Sequence, residues 1–178
     1  SKNIWSEAKF IKSPNCDERP SLENISLLVI HNISLPPDVF GGDDIIHFFT
    51  NKLDCDKHPF YKEIEGVKVS SHLLIRRDGH CIQFVPFHLR AWHAGESTFC
   101  GKAECNDFSI GVELEGSDDT PYTEEQYVQL INVTKDLMKA YPMISNKNIK
   151  GHSDISPQRK TDPGPSFDWE KYLEGIKA

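Results

Sequence analysis

Leu27-Leu28-Val29-Ile30 is an unbroken apolar run of strand length that ends in the polar pair His31-Asn32. Successive side chains of a strand point to opposite faces, so a continuous apolar run is a strand buried on both sides. That requirement favours a sheet covered by helices on both faces over an open antiparallel sheet with one wet face. With 178 residues the chain is long enough for one real core and short for two. We therefore expect a single α/β domain over residues 1–178, with residues 1–25 as an N-terminal extension packed on it.

Other segments fill in this plan. Asp43–Asn51 reads as a short helix. Val69–Pro86 reads as a hairpin joined at Asp78-Gly79, a dipeptide suited to two-residue turns. Phe108–Glu115 alternates Ile110, Val112 and Leu114 against Gly111, Glu113 and Glu115, which is a strand with two unlike faces. Thr123-Glu124-Glu125-Gln126 is a capping box that opens a helix running to about Tyr141. Asp168 caps a last helix carrying Trp169, Tyr172, Leu173 and Ile176. The resulting order predicts a central mixed β-sheet packed by helices.

Charge and cysteine content restrict the function. A formal net charge of −7 argues against a nucleic-acid partner, which usually requires a basic surface. No apolar run approaches the ~18 residues that span a bilayer, and Ser1–Phe10 lacks the apolar core of a signal peptide. Five cysteines without a C-x-x-C pair read as reduced thiols, and the expected setting is a cytoplasmic monomer.

The chemistry-bearing residues lie at strand ends and in one proline-rich segment. His31 closes the buried strand, Glu113 sits near the end of the alternating strand, and His152 and Asp162 lie in one proline-rich loop stiffened by Pro157, Pro163 and Pro165. If residues 160–162 are extended, Lys160 and Asp162 point the same way. Two imidazoles and a carboxylate suit a catalytic zinc that keeps a fourth position for water. Amide cleavage needs in addition a proton shuttle, for which Glu113 fits, and positive charge on the oxyanion, for which Lys160 fits. The pattern alone leaves Glu115 as a rival to Glu113, and His72 and His93 as rivals for the metal. His72 is expected in the core or behind the site, and His93 along a groove. His47, His58, His80 and His88 read as surface or locally bonded residues.

Many of these motifs occur in an order that resembles a known family. They include Ser13-Pro14-Asn15 with Arg19-Pro20, Val29 to Pro37, His58-Pro59-Phe60, Leu74 to Gly79, Arg90 to Gly95, Cys105 to Gly116 and Lys160 to Pro165. The chain resembles the AmpD-type N-acetylmuramoyl-L-alanine amidases, which share a fold with phage amidases and peptidoglycan recognition proteins. The resemblance implies one zinc ion on His31, His152 and Asp162, with Glu113 and Lys160 catalytic. It implies cleavage between the muramic-acid lactyl group and L-alanine, with 1,6-anhydro-muropeptides of cell-wall recycling as substrates. Asn32, Ala91 and Trp92 match positions lining the sugar and peptide groove. In that family an arginine before Cys-Asn-Asp is placed for a stem carboxylate, and here Glu104 stands there. Either Lys68 or Lys102 takes over that contact, or the stem sits differently. Two alternatives remain: a muropeptide-binding module without catalysis, and a zinc peptidase acting within the stem.

Overall fold

The computed structural model describes residues 2–178. Strands β1 (Ala8–Phe10) and β2 (Cys16–Glu18) precede the buried strand β3 (Leu27–Ile33), which is followed by helices α1 (Asp44–Phe49) and α2 (Pro59–Glu63). Strands β4 (Leu73–Ile75) and β5 (Cys81–Gln83) form the hairpin, and β6 (Leu89–Ala91), β7 (Thr98–Phe99) and β8 (Lys102–Ala103) follow. After β9 (Ser109–Glu115) come the long helix α3 (Glu124–Ala140), β10 (Ile149–Gly151), the one-turn helix α4 (His152–Ile155) and α5 (Trp169–Lys177).

Six strands form one mixed sheet in the order β1-β5-β4-β9-β3-β10. Only the β4–β5 hairpin is antiparallel; the other neighbours run parallel. β3 and β9 occupy the interior, and Leu27 to Ile30 are fully buried, as the apolar run requires. Residues 8–10 supply an edge strand of this sheet, so the N-terminal segment is part of the sheet as well as packed on it.

The two faces of the sheet have different tasks. Leu28, Ile30, Ile110, Val112 and Leu114 face a cluster with Tyr127, Leu130, Val133 and Leu137 of α3 and Tyr172 and Ile176 of α5. Each such fully buried side chain contributes on the order of 1.5–3 kcal/mol. Leu27 and Val29 face the other side, with Ala94, Cys105, Phe108 and Ile155. The same parity puts His31 and Glu113 on that second face.

Helix α3 starts as its sequence dictates. The Thr123 hydroxyl accepts from the Gln126 N–H, and the Gln126 side chain accepts from the Thr123 N–H. The hairpin departs from expectation. Gly79 N–H bonds the Arg76 carbonyl and Arg76 N–H bonds the His80 carbonyl, so three residues, Arg77-Asp78-Gly79, make the turn. Gly79 at φ 86° supplies the left-handed step that such a bulged loop needs. Among the described residues, no helix is long and apolar enough to cross a membrane.

Candidate metal centre and active site

Parallel pairing brings the first two groups together. His31 on β3 is directly opposite Glu113 on β9, and both strands present these side chains on the face away from α3. β10 pairs with β3 and delivers His152 as the first residue of α4, whose start is tied by the Gly151 N–H donating to the Asp154 carboxylate at 2.8 Å. His152 therefore sits on a strand-to-helix junction and not in the proline-rich loop itself. That loop returns Asp162 to the same place: Ser153 N–H bonds the Asp162 carbonyl at 3.1 Å, and Tyr122 donates to the Pro163 carbonyl at 2.6 Å. Thr161 donates to Asp118 at 2.5 Å.

The three side chains converge on one point. His31 Nδ1 lies 3.0 Å from His152 Nδ1 and 3.1 Å from Asp162 Oδ2, and His152 Nδ1 lies 3.3 Å from Asp162 Oδ1. These are the donor atoms of a cluster whose members all lie within 4.8 Å of one another. His152 Nε2 faces the Ala94 carbonyl at 2.9 Å, and a carbonyl only accepts, so the proton of this ring is on Nε2. Its Nδ1 lone pair then points into the cluster. His31 carries a proton towards Asp162 when it sits on Nδ1, or towards His93 Nδ1, 2.9 Å away, when it sits on Nε2. In the second form two lone pairs and an anion meet, which is the donor set of a zinc site. Burial lowers the pKa of His31, which favours the neutral ring that a metal ligand would require. Burial works against ionisation of Asp162, but its contacts with His152 and His31 outweigh it and hold the carboxyl below the usual range.

Glu113, the candidate acid–base group, lies beside this cluster. Its Oε1 is 3.9 Å from His31 Nδ1, and its buried Oε2 has no hydrogen-bond partner within the protein. Burial pushes its pKa well above the usual carboxylate range; the charge of Asp162 adds to this and that of Lys160 opposes it. Glu115, two residues on, is only 2% exposed, but Arg76 at 3.0 Å and the backbone N–H groups of Arg77 and Gly41 consume its carboxylate. The register thus separates two glutamates that the sequence pattern leaves equivalent.

A cleft of about 550 Å³ reaches the cluster at Asp162 and is lined by Asn32, Leu35, Phe48, Phe60, Asp118 and Lys160 among others. A second cavity of about 410 Å³, lined by Ile25, His88, Tyr141 and Met143, holds none of the candidate residues. Residues 21–165 match the family described as N-acetylmuramoyl-L-alanine amidase. The chain belongs to that family. It is 52% identical over 176 residues to the 1,6-anhydro-N-acetylmuramyl-L-alanine amidase AmpD of Haemophilus influenzae, covering 99% of this chain and 96% of the relative. With AmpD of Enterobacter cloacae the identity is 55%, over 96% and 91% of the two chains. A crystal structure of a selenomethionine AmpD derivative superposes with a TM-score of 0.96 at 52% identity, covering 99% of this chain and 98% of that one. Escherichia coli AmiD, solved with anhydro-N-acetylmuramic acid-L-Ala-D-gamma-Glu-L-Lys, aligns at TM-score 0.64 and 28% identity, over 90% of this chain and 65% of that one.

The amidase places the groove candidates unequally. The Asn32 side-chain amide donates to Asp118 at 2.8 Å and reaches Tyr122 at 3.0 Å, so its N–H groups are spent on bracing the 161–164 loop. Trp92 is partly exposed, with its indole N–H on Asp17 at 3.1 Å. The Ala91 side chain is fully buried in the second core cluster with Leu74 and Phe84, because β6 turns it inward. Lys68 is exposed on a 110 Å³ cavity that shares Phe48 and Ile64 with the main cleft. Glu104 is exposed and lies 3.8 Å from Arg90 Nη2.

The remaining histidines sort by burial. His93 is 8% exposed and stands behind His31 rather than along a groove. His72 is fully buried; its Nδ1 accepts the Gly111 N–H and its Nε2 donates to the Leu89 carbonyl. Arg19 escaped the sequence reading of single residues. Its guanidinium is buried and donates to the carbonyls of Phe87, Asn106, Asp107 and Ser109. Desolvation lowers its pKa to about 10.

Proposed function

We propose that this chain is a zinc-dependent amidase, with one ion on His31, His152 and Asp162, and that it cuts between the lactyl group of 1,6-anhydro-N-acetylmuramic acid and the L-alanine of the stem peptide. The observation that carries this reading is the convergence of two imidazole Nδ1 atoms and a carboxylate beside the unpartnered Glu113 oxygen. The substrate is that of the AmpD relatives by name. A zinc ion bound there supplies a Lewis acid and a water of lowered pKa.

The protein's own residues supply the rest. Glu113, buried beside the cluster with one carboxylate oxygen unpartnered, takes in its ionised form a proton from the attacking water and passes it to the leaving nitrogen. Lys160, on the cleft wall, supplies positive charge to the oxygen that becomes anionic. Lys160→Ala is expected to lower kcat by roughly 10²–10³ with a smaller change in KM. A rise in KM at constant kcat would reassign Lys160 to substrate binding.

We take the acting form to be a monomer. Five free thiols support a reducing compartment, the cytoplasm. The binding-only alternative lacks support, since no member of the ligand and acid–base set is missing. Digestion of a defined anhydromuropeptide, with and without chelator, followed by mass analysis, tests the reaction. Free intact peptide and anhydromuramic acid, released only without chelator, are expected; peptides cut internally would establish a stem peptidase instead. The same digestion on longer stems tests the role of Glu104, whose carboxylate repels an acidic stem. A strong gain from longer stems that survives Lys68→Ala and Lys102→Ala would contradict that role.

A further inference from the structure

Both candidate histidine ligands rest on one dipeptide. His93 Nδ1 is 2.9 Å from His31 Nε2, and the Ala94 carbonyl is 2.9 Å from His152 Nε2. The dipeptide is itself held, since Asn106 Oδ1 accepts from the His93 N–H at 3.1 Å and from the Ala94 N–H at 2.8 Å. The far side of the His93 ring meets Ser109 Oγ at 3.0 Å. β9 leaves room for this ring only because residue 111 is glycine, where an added Cβ would approach the imidazole to 2.5 Å.

We propose that His93 is a positioning residue that selects the tautomer of His31. A lone pair on His93 Nδ1 holds the His31 proton on Nε2 and turns the His31 Nδ1 lone pair towards the cation. For that, His93 must carry its own proton on Nε2, and Ser109 Oγ accepts it. His152 needs no such partner, because the Ala94 carbonyl admits one tautomer only. His93 thus makes the difference between a His31 that ligates a metal and a His31 that donates to Asp162.

This inference rests on the metal-centre reading above, and the test separates the two. Zinc affinity is measured by competition with a chromogenic chelator for the wild type, His93→Leu, His93→Asn and Ser109→Ala, beside the melting temperature of each metal-free protein. Asn keeps an acceptor oxygen near the Nδ1 position, whereas Leu has similar size and no acceptor. His93→Leu is expected to weaken zinc binding roughly 10–100-fold, with Asn restoring most of it. Ser109→Ala is expected to weaken binding as well, by removing the acceptor that keeps the His93 proton on Nε2. Equal zinc affinity in the wild type, His93→Leu and Ser109→Ala overturns the proposal, as does an equal loss in Leu and Asn, which would mark a packing role. Should His93→Leu fail to fold, Ser109→Ala decides in the same sense. Long-range ¹H–¹⁵N NMR of the zinc-loaded protein reads the tautomer directly, and a proton on His93 Nδ1 would contradict it. A wild type that binds no zinc would refute the metal centre instead.

Discussion

Asp162→Ala is expected to lose zinc and activity together. In the proposed zinc site the carboxylate would be the one negative ligand against two neutral imidazoles, and each of its oxygens approaches a different Nδ1, at 3.1 Å and 3.3 Å. Removing it leaves two nitrogen donors with no charge to balance a divalent cation. The loss should exceed the roughly 10–100-fold that supporting residues of metal sites typically contribute. Metal analysis after dialysis should give about one zinc per chain for the wild type and close to none for the variant. Stoichiometric zinc in Asp162→Ala would exclude this carboxylate from the ligand set. Asp162→Asn separates charge from shape, because the amide keeps the volume and supplies only a neutral oxygen.

Glu113→Gln should do the opposite with the metal and the same with turnover. Glu113 is beside the cluster and outside it, with one oxygen 3.9 Å from His31 Nδ1 and the other unpartnered. The amide fills the same space and cannot take a proton, so zinc content should stay near the wild-type value. Loss of a positioned acid–base group is expected to lower kcat by about 10²–10⁴. Loss of zinc on Glu113→Gln would make the glutamate a ligand. Full turnover would move the proton transfer to another residue, and Glu115 is a poor candidate because Arg76 and two backbone N–H groups already occupy it.

Long, strongly patterned elements were legible in the sequence. The Leu27 to Ile30 run is a doubly buried strand, and the Thr123 box and the Asp168 cap start helices where expected. Short elements carry too few residues for a period to show. β1 and β10 span three residues each and owe their identity to pairing with β5 and β3, while α4 is a single turn of four residues that follows β10. That is why His152 read as a loop residue when it opens a helix. The Asp78-Gly79 signal identified the hairpin but not its loop length, since a glycine at positive φ serves two-residue and bulged three-residue turns alike.

The site was legible as a list of residues and not as an arrangement. His31, Glu113, His152 and Asp162 stand out by type and motif, yet only the resemblance preferred Glu113 to Glu115, and the physical difference between them is the β3–β9 register that sets Glu113 opposite His31. Ala91 entered as a groove candidate through the family resemblance, and the pattern of its strand gave no sign that β6 points its methyl group into the core. His93 was visible as a histidine, but its place behind His31 follows from the cleared space at Gly111, which only the packed strands reveal.

Zinc titration of the metal-free protein tests the centre most directly. Chelated and desalted enzyme should be inactive on an anhydromuropeptide, and activity should return in proportion to added zinc and level off at one equivalent per chain. Asp162→Ala and His152→Ala should show no such saturating return. Full activity in the metal-free protein, or recovery in both variants at the same equivalence point, would contradict the assignment of His31, His152 and Asp162 as the catalytic metal site.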